Sequence, residues 1–232
     1  MNNISIIPIN NLPEFEPKHD LADEIVKSFS SNNFVLEDKD IIVITQKIVS
    51  KVEDRLIKND NESIEKLIQQ ESLEILRKRG DTVIARTKHG FICANAGIDK
   101  SNIEKGSVLL LPEDPDKTSR DIRKKIEHVT NKKISIIISD TFGRAWRKGQ
   151  TNVAIGSSGI QPLESYIGEK DAFDNELFAT EIAIIDELAG AAELVMKKSD
   201  NIPVAVIRGV NYKYSDLGVK ELIRKEDEDF FL

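Results

Sequence analysis

Residues 134–159, ISIIISDTFGRAWRKGQTNVAIGSSG, decide how the rest of the chain is interpreted. The run at 134–138 is almost entirely isoleucine, which is typical of a strand that is buried on both faces. We predict that this strand ends abruptly at Ser139, Asp140 and Thr141. A carboxylate and a hydroxyl at that point suit a hard cation such as Mg²⁺ or Mn²⁺, because these ions take oxygen ligands and bind phosphates beside them.

A concentration of positive charge follows the predicted strand. Three cations lie within five positions, among glycines that allow close backbone approach. The residues concerned are Gly143, Arg144, Trp146, Arg147, Lys148 and Gly149. This combination suits an anionic ligand such as a polyphosphate. The alternative is that Asp140 and Thr141 cap the next element while the basic residues form a solvated turn, and the segment alone does not choose between them.

Composition limits the classes of protein to which the chain can belong. Its 232 residues, 40% hydrophobic and 31% charged, are enough for one large domain or two small lobes. A net charge of −7 argues against a general nucleic-acid or membrane-surface binder, although it allows a local basic pocket. No apolar run reaches membrane-spanning length and the first residues lack a signal-peptide pattern, so we expect a cytoplasmic protein without a membrane partner.

The single cysteine and the three histidines exclude some chemistries. Cys93 has no second cysteine with which to form an intramolecular disulfide, and its apolar surroundings predict a buried, inert thiol. The histidines are not clustered, which argues against a zinc hydrolase. The chain also lacks a P-loop, a G-x-G-x-x-G after a strand and an H-E-x-x-H motif.

The hydrophobic pattern predicts an α+β, or mixed α/β, fold with buried sheets and peripheral helices. We expect one domain over 1–232, built as two interleaved lobes without a linker. Strands are predicted at 4–9, 41–44, 83–87, 91–94, 108–111, 134–138, 153–160 and 203–207. Helices are predicted at 20–29, with Asp20 as the N-cap, across 59–79, at 119–129 and within 180–196. In the helix at 119–129, Ile122, Ile126 and Val129 are expected to face inward and Arg123 to lie on a solvated basic face.

Two further polar segments follow predicted strands. The first carries Gln46, Lys47 and Lys51, which suit contacts with phosphate, although such residues are more often only the polar end of a strand. The second carries Asp99 and Asn102. Asp99 is a candidate to complete a cation site with Asp140, but an Asx-turn or helix cap is the commoner role for an isolated Asp-x-Ser-Asn.

The chain resembles the coenzyme F420-0:L-glutamate ligase family. The resemblance rests on five segments in the same order over nearly the whole chain: SKVEDR, HGFICANAGIDKSN, LLLPEDPD, IIISDTFGRAWRKGQTNVAIGSSGI and DELAGAAELVM. It implies a homodimeric, GTP-dependent ligase that adds L-glutamate, first by an amide and then by γ-linkages, to the phosphate-bearing deazaflavin coenzyme F420-0. It also implies Mn²⁺ or Mg²⁺, two per site, stimulation by K⁺, and a site near the dimer interface.

The resemblance also implies roles for individual residues. The metal ligands are expected to be Asp99, Asp140 and Thr141. The nucleotide-contacting positions are expected to be Asn10, Asn11, Leu12, Pro13, Gln46, Lys47, Lys51, Asn102, Met196, Lys197, Lys198, Ser199, Asp200, Asn201, Ile202 and Pro203. By hypothesis, Lys51 and one or both of Arg144 and Arg147 neutralise charge on the transferring phosphoryl group, which forms an acyl phosphate on the acceptor.

The chain departs from the family pattern at two places. Lys197 and Lys198 stand where the family often has Gly followed by Gln or Lys, and a Gln there can bind the second metal. A protonated Lys198 cannot be a ligand, so either the second metal is held differently or an ammonium supplies part of its charge. The segment after Lys51 is also shorter than in familiar members. Two other functions remain open: a same-fold ligase with another acceptor or amino acid, and a nucleotide- or deazaflavin-binding protein without turnover.

Overall fold

The computed structural model describes residues 3–58, 63–101 and 103–230. Its central element is a five-stranded mixed sheet in the order β1-β12-β2-β8-β9. The five strands are β1 Ser5–Ile9, β2 Ile41–Thr45, β8 Ser135–Arg144, β9 Arg147–Ser158 and β12 Val204–Arg208. Strands β2 and β8 are parallel, and the other three neighbouring pairs are antiparallel. The predicted α+β fold is confirmed.

Three smaller sheets complete the strand content of the described residues. Strands β4 Ser72–Arg79, β5 Thr82–Thr87 and β6 Ile92–Ala94 form an antiparallel sheet. Two-stranded ladders join β3 Leu56–Lys58 to β7 Ser107–Leu109, and β10 Glu164–Ser165 to β11 Glu181–Ile182. The sheet of β4, β5 and β6 has its own small apolar cluster, which includes Ile68, Val83 and Ala85.

The described residues contain five α-helices: α1 Leu21–Ser31, α2 Gln46–Val52, α3 Ile64–Glu71, α4 Pro115–Thr130 and α5 Ile184–Met196. Short 3-10 turns occur at Asn95–Gly97, Val219–Leu222 and Glu226–Glu228. Asp20 caps α1 as predicted, because its carboxylate accepts a hydrogen bond from the backbone of Asp23. Asp114 caps α4 in the same way, with Pro115 at the first helical position.

The main core lies on both faces of the central sheet. Ile41, Ile42, Val43 and Ile44 of β2 are fully buried, as are the isoleucines at 136–138 of β8. Since successive side chains of a strand point to opposite faces, both faces of the sheet are covered. Helices α4 and α5 both pack against β8 and β9. The isoleucine run therefore predicted its own environment correctly.

The predicted end of the strand at Ser139 is wrong, because β8 continues through Asp140 and Thr141 to Arg144. Strand β2 pairs with β8 only as far as Thr45 and Ser139, and there β2 turns into helix α2. Beyond that point β8 pairs with β9 alone. Polar residues are tolerated there because β8 no longer has β2 as a neighbour on that side.

Two segments have a different secondary structure from the one predicted. They are part of the range 59–79 and the polar segment after β2. In the described part of that range, 63–79, α3 is the helical segment, and Ser72–Arg79 forms strand β4 because it pairs with β5 across a turn at Gly80. The periodicity was ambiguous, since Leu73 and Ile75 also fit a strand and both are exposed. The segment Gln46–Val52, predicted as a polar end of a strand, is helix α2.

The predicted helix begins at residue 119, whereas α4 begins at Pro115, and the prediction is wrong in two further details. Val129, expected to face inward, is 68% exposed. Arg123, expected in solvent, is buried because its guanidinium pairs with Asp216 at 2.7 Å and with Glu127 at 3.3 Å. It also donates a hydrogen bond to the Tyr214 hydroxyl at 2.8 Å. These partners attach the segment after β12 to α4, and their distance along the chain hides them from a local pattern.

Candidate functional site

The strand directions bring four segments to one edge of the central sheet. Strand β2 ends there and leads into α2, β1 ends there, and β12 begins there, because Ile9 and Ile44 both pair with Val204. Residue 139 of β8 is level with Thr45 at the same edge. A pocket of about 330 Å³ opens at this edge. Its lining is Leu12, Pro13, Glu14, Phe15, Thr45, Lys47, Ile48, Lys51, Asp140, Thr141, Glu193, Met196, Lys197, Lys198, Asn201, Ile202 and Pro203.

Lys47 on α2 links the pocket to the loop that carries Asp99. Its ammonium lies 2.6 Å from the Asp99 carboxylate and also donates to Ser101. The loop is held by two backbone hydrogen bonds of 2.9 Å between Asp99 and Leu109. Burial alone would raise the pKa of Asp99, but the hydrogen bonds from Lys47 and Ser101 outweigh it and lower that pKa. Asp99 is therefore an ionised carboxylate beside the pocket.

Asp140 has a different environment although it lies close to Asp99. Burial of its carboxyl raises its pKa to about 7, and the negative charge of Asp99 adds to the shift. A hydrogen bond from the Thr141 backbone and the positive charges of Lys47 and Lys198 offset only part of this rise. A carboxyl that lacks full charge compensation is a suitable ligand for a cation that arrives from solvent.

Lys51 is one turn further along α2 and also faces the pocket. Its ammonium pairs with Glu14, which lies in the segment after β1. Sequence reasoning missed Glu14, although it directly follows Leu12 and Pro13. The pair shows that the segment after β1 and helix α2 are close enough to enclose one ligand.

Lys198 extends its ammonium to oxygen atoms on three different elements. The ammonium is 2.5 Å from the Thr141 hydroxyl on β8, 3.1 Å from the Asn152 amide oxygen on β9 and 2.8 Å from the Glu193 carboxylate on α5. Asn152 donates to the other Glu193 oxygen at 2.8 Å and accepts from Thr141 at 2.7 Å. We call Thr141, Asn152, Glu193 and Lys198 the ammonium cluster. Its members Asn152 and Glu193 were not predicted, although a charged residue within the apolar part of α5 was a usable signal.

Some of the predicted site residues lie elsewhere. Arg144 and Arg147 are at the exposed tip of the β8–β9 hairpin, where the Arg144 guanidinium donates to the Lys148 carbonyl oxygen at 2.6 Å. Gln46 is fully buried and accepts from the Ser50 hydroxyl within α2. The predicted nucleotide residues Asn10, Asn11, Ser199 and Asp200 flank the pocket without lining it. Asn102 lies outside the described residues.

The available donors fit a hard divalent cation. Asp99 and Asp140 supply carboxylate oxygens, and Thr141 adds a hydroxyl. Within the described residues there is no group of three or more His, Cys, Asp or Glu side chains arranged to hold a metal. A cation bound here would therefore complete its shell with water or phosphate oxygens, as Mg²⁺ does at nucleotide sites.

A largely apolar groove of about 550 Å³ lies farther along β8 than the pocket, beginning at Phe142. Phe142 of β8, Trp146 of the turn after β8, Phe91 before β6 and Ile223 after the turn Val219–Leu222 line it. Its charged lining residues are Arg77, Arg86, Arg224, Asp186 and Asp229. The neighbouring Cys93 is buried, as predicted, and burial raises the pKa of its thiol to about 12. The groove has a volume and aromatic lining residues that suit a flat aromatic ligand.

Comparison with known proteins assigns the chain to a family. The profile of the F420-0:Gamma-glutamyl ligase family matches residues 10–209, which include every segment around the pocket. The chain belongs to this family. It is 44% identical over 218 residues to the Coenzyme F420:L-glutamate ligase of Methanococcus maripaludis strain C7, covering 86% of this chain and 88% of the relative. It is 44% identical over 216 residues to the protein of the same name from Methanocaldococcus jannaschii, covering 85% and 86%.

The family assignment confirms the resemblance identified in the sequence. The matched range holds the whole pocket and leaves out only the segments before residue 10 and after residue 209. Among the residues that the structure describes, no helix is both long enough and apolar enough to cross a bilayer.

Proposed function

We propose that the protein is a GTP-dependent ligase that joins L-glutamate to coenzyme F420-0, first by an amide and then by a γ-linked addition, in F420 biosynthesis. The observation that carries the proposal is the pocket at the sheet edge, where Lys47 and Lys51 face Asp140 and Thr141. Its volume and its cations suit the phosphates of a nucleotide, and relatives at 44% identity carry the name Coenzyme F420:L-glutamate ligase.

The chain's own residues supply charge and alignment in the proposed reaction. The Lys51 ammonium faces the phosphates and neutralises charge that develops during transfer, and Arg144 or Arg147 would join it only if the hairpin tip moves toward the pocket. Asp99 and Asp140 would hold Mn²⁺ or Mg²⁺, which would supply positive charge at the phosphate oxygens, and the Thr141 hydroxyl next to them contacts the Lys198 ammonium. Lys47 keeps Asp99 ionised and oriented through the contact at 2.6 Å.

The bonds change in two steps. An oxygen of the acceptor carboxylate attacks the γ-phosphorus of GTP, and the bond from that phosphorus to the β–γ bridging oxygen breaks. GDP departs with the electron pair of that bond, and the acceptor becomes an acyl phosphate. The glutamate amine then attacks the acyl carbon, phosphate departs with its electron pair, and the amine loses a proton. Because the reactive intermediate forms on the substrate, the protein needs no nucleophilic side chain, in agreement with the inert environment of Cys93.

The groove beside the pocket is proposed to receive the aromatic part of the acceptor. Phe142 lies two residues after Asp140 on β8, so a ligand in the groove would begin next to the proposed phosphate site. The arginines of the groove match the phosphate and the carboxylates of the acceptor in charge. A homodimer and stimulation by K⁺ are parts of the same proposal, and they rest on the family resemblance.

The test is mass spectrometry of products from purified protein, GTP, Mn²⁺, L-glutamate and F420-0, with controls lacking GTP or containing ATP. We expect a product heavier by one glutamate residue, and then by two, with an equal amount of GDP. GTP binding without a new product would overturn the ligase proposal and favour the nucleotide-binding alternative. A product formed only with another amino acid or acceptor would favour the ligase of changed specificity.

A further inference from the structure

The ammonium cluster is arranged as a cation site that already contains its cation. A hydroxyl, an amide oxygen and a carboxylate from three elements point to one position, and the Lys198 ammonium lies at that position. These oxygen types are the ligands that Mg²⁺ and Mn²⁺ take in proteins. The hydrogen bond from Asn152 to Glu193 holds two of the three side chains that supply these oxygen atoms in place.

A metal ion and the ammonium cannot share the cluster. An ion bound to the Thr141 hydroxyl would lie about 2.1 Å from that oxygen. The Lys198 nitrogen is 2.5 Å from the same oxygen and 2.8 Å from Glu193. The two cations would then overlap or repel each other at very short range. The arrangement fits one positively charged group at this position, and the Lys198 side chain supplies it.

We infer that the Lys198 ammonium replaces a second divalent cation, so that each chain binds one divalent cation, at Asp99 and Asp140. The inference rests on the proposed function for the nucleotide that accompanies this cation. It differs from the two cations per site that the family resemblance implies. Lys198 acts as a positioning residue, since it holds Thr141 and Glu193 beside the cation-binding Asp140.

The neighbouring lysine provides a matched control. Lys197 pairs with Asp200 at 3.2 Å, and its side chain has nearly the same exposure as that of Lys198, 61% against 57%. Replacing either lysine by Gln removes one positive charge from the same exposed loop. Only Lys198→Gln, however, adds an amide oxygen to the cluster while removing the ammonium from it.

The experiment counts Mn²⁺ by equilibrium dialysis with saturating GMP-PNP, with both metal and nucleotide measured per chain. We expect about one Mn²⁺ per bound nucleotide for the unmodified protein and for Lys197→Gln, and about two for Lys198→Gln. Adding Glu193→Gln to Lys198→Gln should return the ratio to about one, which would locate the second ion. Lys198→Met, with neither an ammonium nor an oxygen, should bind the second ion more weakly than Lys198→Gln.

Two results would overturn the inference: a ratio of two in the unmodified protein, or a ratio of one in Lys198→Gln whose circular dichroism and melting temperature match those of Lys197→Gln. Neither result depends on turnover, because no acceptor or glutamate is present. If the metal ratios are as expected but no glutamylated product forms, the ligase proposal fails and the role of Lys198 stands. If glutamylated product forms but the metal ratios differ from those expected, the inference about Lys198 fails and the ligase proposal stands.

Discussion

Both ends of the β8–β9 hairpin carry charged residues, yet the environments of the two ends differ. At the inner end, Asp140 and Thr141 meet residues from α2, α5 and the loop before β12. At the outer end, Arg144, Trp146 and Arg147 surround a turn whose contacts are mostly local, and Trp146 is 82% exposed. A charged residue becomes part of a site when other elements converge on it, and the charge itself does not determine this.

The glycines of the hairpin show the same difference in packing. A Cβ added at Gly156, at the inner end, would lie 2.5 Å from the carbonyl carbon and oxygen of Pro115 at the start of α4. A Cβ added at Gly143, at the outer end, would meet nothing within 4 Å. The inner end is therefore rigidly packed against a helix, whereas the outer end has room to rearrange around a ligand.

The largest expected effect is on catalysis at the inner end. We predict that Asp140→Asn lowers kcat/KM for glutamate addition by about 10²–10³-fold, the usual cost of removing one group that stabilises developing charge. Arg144→Ala should lower it much less, because its guanidinium contacts the backbone of its own turn. Steady-state kinetics at saturating Mn²⁺ measures both. An Arg144→Ala loss equal to that of Asp140→Asn would mean that the tip closes over the pocket during turnover.

Packing at the two ends can be compared by glycine substitutions. Gly156→Ala should lower the free energy of unfolding by about 2–3 kcal/mol, because the new methyl group collides with backbone atoms that cannot rotate away. Gly143→Ala should leave it unchanged or raise it by up to about 1 kcal/mol, since alanine restricts the unfolded chain. Urea unfolding followed by circular dichroism gives both values. Equal destabilisation by the two substitutions would contradict the difference in packing.

The pH dependence of stability tests the electrostatic part of the comparison. The pKa of Asp140 is about 7 in the folded protein against an ordinary 3.8, so the native state binds this proton more tightly than the unfolded chain does. The stability that this proton contributes is complete below the ordinary pKa and is lost as the pH rises to about 7. Asparagine does not titrate. We therefore expect Asp140→Asn to gain stability relative to the unmodified protein across this interval.

The measurement is urea unfolding with EDTA present, at several pH values between about 4.5 and 8. The quantity to compare is the difference between Asp140→Asn and the unmodified protein, since other carboxyl groups titrate in both. A difference that stays constant with pH would show that the Asp140 carboxyl is better solvated than its surroundings indicate.

Local sequence patterns predicted the parts of the fold that depend on local causes. The isoleucines of β2 and β8 indicated buried strands, and Asp20 indicated the start of α1, because burial and capping are determined within a few residues. The sequence also pointed to Asp99, Asp140, Lys47 and Lys51, and three of these line one pocket while Asp99 contacts Lys47.

The remaining features depend on contacts between distant segments. Arg123 is buried because its partners Tyr214 and Asp216 follow it by about ninety residues. Glu193 belongs to the site because α5 brings it beside Asn152 and Lys198. A strand rather than a helix forms at Ser72–Arg79 because β5 offers a partner. These outcomes depend on topology, which periodicity and residue type along the chain do not encode.

The smallest expected effect concerns the loop that closes the inner end. Lys197 follows α5 with φ 51° and ψ −174°, a backbone conformation that glycine adopts readily and other residues adopt at a cost of about 1–3 kcal/mol. We predict that Lys197→Gly raises the free energy of unfolding by about 1 kcal/mol, because the relieved strain exceeds the loss of an exposed ion pair with Asp200. Lys197→Ala is the control, since it removes the same ion pair but keeps the Cβ, and it should be less stable than Lys197→Gly. If thermal and urea unfolding show Lys197→Ala to be more stable than Lys197→Gly, the backbone at residue 197 is not strained. The conformation of this loop would then be held by its contacts in the pocket.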